Sequence, residues 1–286
     1  MNYFESQMNL QTFNQLLPDE AKVNLFACCG SGNWVQQFMT QFPYQNERDL
    51  AEKATQIWYN QCSESDWLEA FTHHPKIGDL KSLTEKFAGK EQASVAEAST
   101  ETIKNLAEAN RLYEEKFGFI FIVCATGKSA QEMLDLLNDR LENNRRDELA
   151  IAMGEQHKIT IIRFKKLLSD ADWSFLKPSH VTTHVLDTSV GKTGKNICIK
   201  LRSEKGTIIA QGRTNADGRI PDLLPPGRFL VPGNYRMHFD TAGYFQQTNQ
   251  QGFYPEVEIT FSVFDQTHYH IPLLINPFGY STYRGS

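Results

Sequence analysis

The spacing of apolar residues changes once along the chain, and this change constrains the fold more than any other feature. In the first half the period is helical: Leu134, Leu137 and Leu141 follow i, i+3, i+7, and Ala150, Met153, His157, Ile161, Phe164 and Leu168 continue the stripe. Asp49 to Cys62 and Ser94 to Phe117 read as further helices with Glu and Lys on their exposed faces. Between Ser169 and Ser179 the pattern breaks around Trp173-Ser-Phe175, a short linker whose aromatics can dock. Beyond it the period is two. Ile197, Ile199 and Leu201 alternate with polar neighbours, as do Tyr235, Met237 and Phe239, and then Val257, Ile259, Phe261 and Val263. Asn215-Ala-Asp-Gly218 and Pro225-Pro-Gly227 supply turns between strands. A chain of 286 residues is long enough for two cores. The expectation is a multidomain protein: an N-terminal all-α helical bundle over 1–168, a linker over 169–179 and a C-terminal all-β sandwich over 180–286.

Charge and composition exclude several partner classes. A net charge of -5 provides neither a basic stripe for nucleic acid nor a polybasic membrane anchor. No apolar run approaches the length of a membrane span, and the opening Met-Asn-Tyr-Phe-Glu-Ser-Gln does not read as a signal peptide. The 5 cysteines are odd in number, include the adjacent pair Cys28-Cys29 and show no Cys-x-x-Cys spacing. Reduced thiols in the cytoplasm are the expectation.

The last stretch, His268 to Ser286, is unusual for a terminus. An alternating strand would place Tyr269, Ile271 and Leu273 on one face and His268 and His270 on the other. The Tyr283-Arg284-Gly285-Ser286 ending is rich in donors, which suggests that it folds back to complete a pocket. Further upstream lie Thr182-Thr-His184-Val-Leu-Asp187 and Thr214-Asn-Ala-Asp-Gly-Arg219. Two histidines and an arginine assembled by strands could activate a water and stabilise an oxyanion. An ordinary strand with surface histidines is the competing reading. A His-x-His metal site lacks a Cys or carboxylate at ligand spacing.

In the helical half, proline disfavours helix for the residue before it, so His74 in His73-His74-Pro75-Lys76 should sit extended at a helix end, where it could exchange protons. A solvated His-Pro loop would look the same. Glu91-Gln92 pairs a carboxylate with a bidentate amide suited to a ureido or imide group, or merely begins a helix. Phe117 to Lys128 is hydrophobic and contains Phe121, Ile122, Val123, Cys124 and Ala125. It could present backbone N–H groups to a flat heterocycle, or simply be buried. Arg163, at the margin of the apolar stripe, could reach a carboxylate or snorkel to water.

Taken in order, His74-Pro-Lys-Ile-Gly, Glu91-Gln92, the Phe117 to Lys128 stretch and Ile-Ile-Arg163 resemble the 2-oxo-4-hydroxy-4-carboxy-5-ureidoimidazoline (OHCU) decarboxylase family over about residues 8 to 168. The resemblance implies that His74 is the proton donor with Glu91 beside it. It also implies that Pro75, Gln92, the backbone from Phe121 to Ala125, and Arg163 bind substrate. Family members often carry Ser where this chain has Ala88, which removes one hydroxyl contact. From about residue 180 to 286 the motifs resemble 5-hydroxyisourate hydrolase, the enzyme branch of the transthyretin-like family. That resemblance implies a transthyretin-like sandwich with His184, Arg219 and His270 as catalytic residues and Tyr283, Arg284, Gly285 and Ser286 binding substrate. It implies no metal and no cofactor, a tetrameric β half and a dimerising helical half. Gly191-Lys-Thr193 replaces the usual Gly-x-Pro, a loop change expected to be silent. Together the halves suggest a bifunctional enzyme of urate breakdown that converts 5-hydroxyisourate through OHCU to (S)-allantoin. The alternative is a transthyretin-like carrier of a small aromatic ligand with a helical adaptor.

Overall fold

The computed structural model describes residues 8–74, 100–177 and 179–285. The chain divides into two compact units, Met1–Phe175 and Leu176–Ser286. The first is helical: α1 Leu10–Asn14, α2 Pro18–Cys29, α3 Gly32–Met39, α4 Glu47–Asn60, α5 Glu64–Thr72, α6 Thr100–Phe117, α7 Ala130–Leu141 and α8 Arg145–Leu167. Local chemistry sets the ends of these helices. Asn46 and Asn144 accept the N–H groups of Asp49 and Asp147 at the starts of α4 and α8. Ser129 and Glu132 form a reciprocal capping box on α7.

One core packs Phe71, Tyr113, Phe117, Phe119, Phe121, Met133 and Leu137. The segment 118–125 runs through this core with neither helix nor strand. It satisfies its backbone through side chains: Arg140 donates to Ile122 O at 2.7 Å, and Glu155 accepts the Cys124 N–H at 2.7 Å. Arg140, 2% exposed, stacks over the Phe121 ring at 4.6 Å and pairs at 2.5 Å with Glu148, 0% exposed. Tyr113 and Asn143 donate to the same carboxylate. Trp173 Nε1 donates to Leu168 O at 3.3 Å, and the Arg48 guanidinium lies 5.0 Å from the Phe175 ring, so both aromatics of the expected linker pack within the helical unit.

The second unit is a sandwich of two four-stranded sheets, ordered β2-β1-β7-β8 and β4-β3-β5-β6. The strands are β1 Val181–Asp187, β2 Lys192–Thr193, β3 Cys198–Ser203, β4 Ile208–Arg213, β5 Gly233–Phe239, β6 Val257–Val263, β7 Tyr269–Asn276 and β8 Gly279–Thr282. Val181, Val185, Ile199, Leu201, Met237, Phe239, Leu273 and Ile275 are among the residues that fill the space between the sheets. A short helix, α9 Thr241–Gln247, interrupts the strands and was not expected from the sequence. Asp240 caps it by accepting the Gly243 N–H, and Tyr244 and Phe245 join the core. Strands β1 and β7 are parallel, with Thr182 opposite His270 and His184 opposite Pro272. Their alternation buries Val181, Thr183 and Val185 and turns Thr182 and His184 to the outer face.

Candidate active sites

In the helical unit the organising element is α8, whose Gln156, Thr160 and Arg163 follow i, i+4, i+7 and so share a face. Arg163 Nη1 donates to Ala27 O at 3.2 Å and Cys28 O at 3.1 Å. Gln156 Nε2 donates to Cys29 O at 3.1 Å. The last carbonyls of α2, which have no partner within their own helix, are thus bound by α8. His74 follows the end of α5, is half-buried, and lies 2.5 Å from Gln156 Oε1 through its Nε2. Gln156 was not anticipated. It is a 0% exposed amide beside the apolar stripe, and its partner Cys29 is too far away in sequence for any local pattern to reveal it.

Phe121, Ile122, Val123 and Cys124 are buried and Ala125 is half-buried. The Cys124 N–H is already bound to Glu155, so that donor is engaged by the chain itself. Burial raises the thiol pKa values of Cys28, Cys29 and Cys124 and lifts Cys62 to about 12, which leaves these thiols protonated and poorly nucleophilic at neutral pH. The candidates Pro75, Glu91 and Gln92 lie outside the described residues, as does Ser286 in the second unit.

In the sandwich, His184, Arg219 and His270 converge on the outer face of β1 and β7. Arg219 forms a bridge with His184, and its Nη2 donates to His184 Nδ1 at 3.0 Å. The turn before Arg219 depends on Gly218 at φ +71°, where a Cβ would lie 2.4 Å from Val185 O. Since arginine cannot accept, Nδ1 is the acceptor and neutral His184 carries its proton on Nε2. Burial first, then the Arg219 charge, lowers the His184 pKa. Burial, then Arg219, His268 and His184, lowers that of His270. Both rings are therefore neutral at pH 7 and sit beside a fixed cation. That arrangement can orient a carbonyl, polarise it and take a proton from water.

Thr182, a residue not singled out in the sequence, places its hydroxyl 2.8 Å from His268 Nε2 and 2.9 Å from His270 Nδ1, joining the two imidazoles. Its signal was positional: Thr182 lies two residues before His184 on the same strand face. The tail returns to this face. Gly285 N donates to His270 O at 3.1 Å, and a Cβ on Gly285 would come within 2.3 Å of His270 Cδ2. Arg284 lies 5.9 Å from the Tyr269 ring, and Tyr283 is 57% exposed. Among the described residues no group of three His, Cys, Asp or Glu side chains is arranged to hold a metal ion.

The two units and their sites define a protein that joins an OHCU decarboxylase domain to a transthyretin-type domain. The OHCU decarboxylase family model matches residues 14–165, and that of the HIUase/transthyretin family matches residues 181–285. The chain belongs to the family of bifunctional uric acid degradation proteins. It is 36% identical over 326 residues to the uric acid degradation bifunctional protein TTL of Arabidopsis thaliana, covering 94% of this chain and 98% of that protein. The 5-hydroxyisourate hydrolase of Mus musculus is 40% identical over 114 residues, covering 38% of this chain and 96% of its own length. A crystal structure of OHCU decarboxylase in the presence of (S)-allantoin is 43% identical, covers 51% of this chain and 96% of that chain, and has a TM-score of 0.44. No helix among the described residues is long and apolar enough to cross a membrane.

Proposed function

We propose that the chain catalyses two consecutive steps of urate breakdown, with residues 180–286 hydrolysing 5-hydroxyisourate to OHCU and residues 1–168 decarboxylating OHCU to (S)-allantoin. Residues 169–179 join the two parts. The observation that carries the reading is the pair of neutral imidazoles beside Arg219 on the β1–β7 face, with the tail docked on His270. A carrier site would need an apolar lining rather than this polar cluster.

In the hydrolytic step Arg219 holds and polarises the lactam carbonyl, and His184 donates from Nε2–H. His270 takes the proton of the attacking water at Nε2. For that lone pair to be available, the His270 Nδ1–H donates to Thr182, whose hydroxyl donates in turn to His268 Nε2. Tyr283, Arg284, Gly285 and Ser286 close the pocket. In the decarboxylating step His74 delivers the proton that replaces the carboxylate. Glu91 assists it, while Pro75, Gln92, the 121–125 backbone apart from the Cys124 N–H bound to Glu155, and Arg163 hold the substrate. No cofactor enters either step.

Among the described residues, strands β6 and β8 each pair with a single neighbour, so their outer edges are open to association. This supports association through the sandwich; the homo-oligomer we propose is tetrameric there and dimeric through the helices. All five cysteines are free, which fits the reducing cytoplasm we propose for the chain. Joining the two sites raises the local concentration of the intermediate at the second. The test is an absorbance trace of freshly generated 5-hydroxyisourate. The reading requires decay well above that in buffer, and decay at the buffer rate would favour a carrier.

A further inference from the structure

The hydrogen bonds around Gln156 fix more than its own position. Its amide is wholly buried, and an amide has two ends that differ only in whether they donate or accept. Nε2 faces the Cys29 carbonyl at 3.1 Å and the Thr160 hydroxyl oxygen at 3.4 Å, and the Thr160 hydroxyl itself donates to Gln156 O at 3.1 Å. A carbonyl can only accept, so the nitrogen end must face α2, and the reverse orientation would set two carbonyl oxygens against each other in a buried place. Oε1 therefore points to His74. The 2.5 Å contact must then be a donation from the ring, and the Nε2 of His74 carries a proton.

We infer that Gln156 is a positioning residue that holds His74 as its Nε2–H tautomer, which makes Nδ1 the basic nitrogen of the ring. The inference rests on the reading of His74 as the decarboxylase proton donor and deepens it by naming the working atom. The arrangement suits a group that must cycle between neutral and protonated forms. The Gln156 oxygen accepts from Nε2–H in both, so the ring keeps its orientation while Nδ1 gains and loses the proton. Gln156 is in turn held by α2 through Cys29, so ring orientation depends on the packing of α2 against α8 rather than on α5 alone.

The experiment is solid-state ¹⁵N NMR of the full-length chain labelled at the histidine ring nitrogens, with the His74 signals assigned by their loss in His74→Asn. With the ring in its neutral form, the expected result is a proton on Nε2 and none on Nδ1. A proton on Nδ1 overturns the inference whatever the activity. Gln156→Met removes the acceptor and should mix the two tautomers. It should also lower the decarboxylation kcat roughly 10- to 100-fold with little change in KM. Gln156→Glu keeps an oxygen facing His74 but sets the other against the Cys29 carbonyl, so it should return the Nε2–H form while recovering only part of the lost kcat. A Gln156→Met protein that keeps both the single tautomer and full kcat would remove Gln156 from this role. Full decarboxylation by His74→Asn would instead refute His74 as the proton donor, a result distinct from the NMR reading of the tautomer.

Discussion

The two candidate sites are built on opposite principles. In the sandwich, the site lies on the outer face of two parallel strands, where a period of two puts Thr182 and His184 side by side and sets His270 across from Thr182. The chemistry is exposed to whatever lies against that face, and the core behind it is mainly apolar, with the buried Thr183 and Asp187 hydrogen-bonded within it. In the helical unit the site is held from within. His74 is braced by a buried amide, α2 is tied to α8 by Gln156 and Arg163, and the 118–125 segment is carried by buried ionic side chains in place of a sheet. A strand face displays its functional residues by simple alternation. A helical interior hides them among polar groups satisfied by distant partners.

The sharpest break between the sites is expected from His74→Ala. Losing a positioned acid should cost about 10² to 10⁴ in decarboxylation. Hydrolysis of 5-hydroxyisourate, in the other compact unit, should be unchanged in the same preparation. Equal loss of both activities would show that the two units depend on each other.

The next effect in size falls on the sheet site. Arg219→Met should lower hydrolysis about 10² to 10³-fold, the usual loss for one oxyanion donor. Arg219→Lys keeps the charge but not the planar fork and should recover only part of it. The pH profile separates the two variants. His184 and His270 have pKa values below the ordinary 6.5, so hydrolysis is full at neutral pH and is lost as pH falls through those lowered values. Arg219→Met removes one cause of the lowering and should move this acid limb to higher pH. Arg219→Lys should leave it in place.

The contrast in construction predicts a contrast in stability. Glu148→Ala strands the buried Arg140 charge and should destabilise the helical unit by about 3–5 kcal/mol, read by chemical denaturation. No buried ion pair of that kind supports the β1–β7 face among the described residues. Smaller effects should come from the tail and the hydroxyl bridge. Gly285→Ala forces a Cβ against His270 and should reduce hydrolysis roughly 10-fold while leaving the fold intact, because the strained contact is local. Thr182→Val removes the hydroxyl's links to both His268 and His270; the link to His270, worth about 1 kcal/mol, bears on catalysis, so a loss of about 5-fold is expected. A loss as large as that of Arg219→Met would make Thr182 part of the chemistry.

Legibility in the sequence followed the same divide. The change of period separates helical from strand structure, and β7 buries Tyr269, Ile271 and Leu273 while leaving His270 half-buried, with His268 just before the strand. The helix at 241–247 was missed because seven residues offer too little periodicity, and Tyr244 and Phe245 fit a strand equally well. Gln156 was missed because a hydrophobic stripe says nothing about a polar residue beside it. Its burial is tolerated only through Cys29, Thr160 and His74, contributed by other segments or by the next turn. The Arg140–Glu148 pair was hidden likewise, since on a helix surface the same residues would be ordinary solvated charges.

The central claim is that one chain carries both reactions in sequence, at separate sites. It is tested most directly by following the optical activity of the product formed from freshly generated 5-hydroxyisourate, using wild type, His74→Ala, Arg219→Met and an equimolar mixture of the two variants. The account predicts enantiomerically pure (S)-allantoin from wild type and from the mixture, since each variant supplies the site that the other lacks. His74→Ala alone should release OHCU and give racemic allantoin, and Arg219→Met alone should consume 5-hydroxyisourate at close to the buffer rate. Racemic allantoin from the wild-type chain would contradict the account.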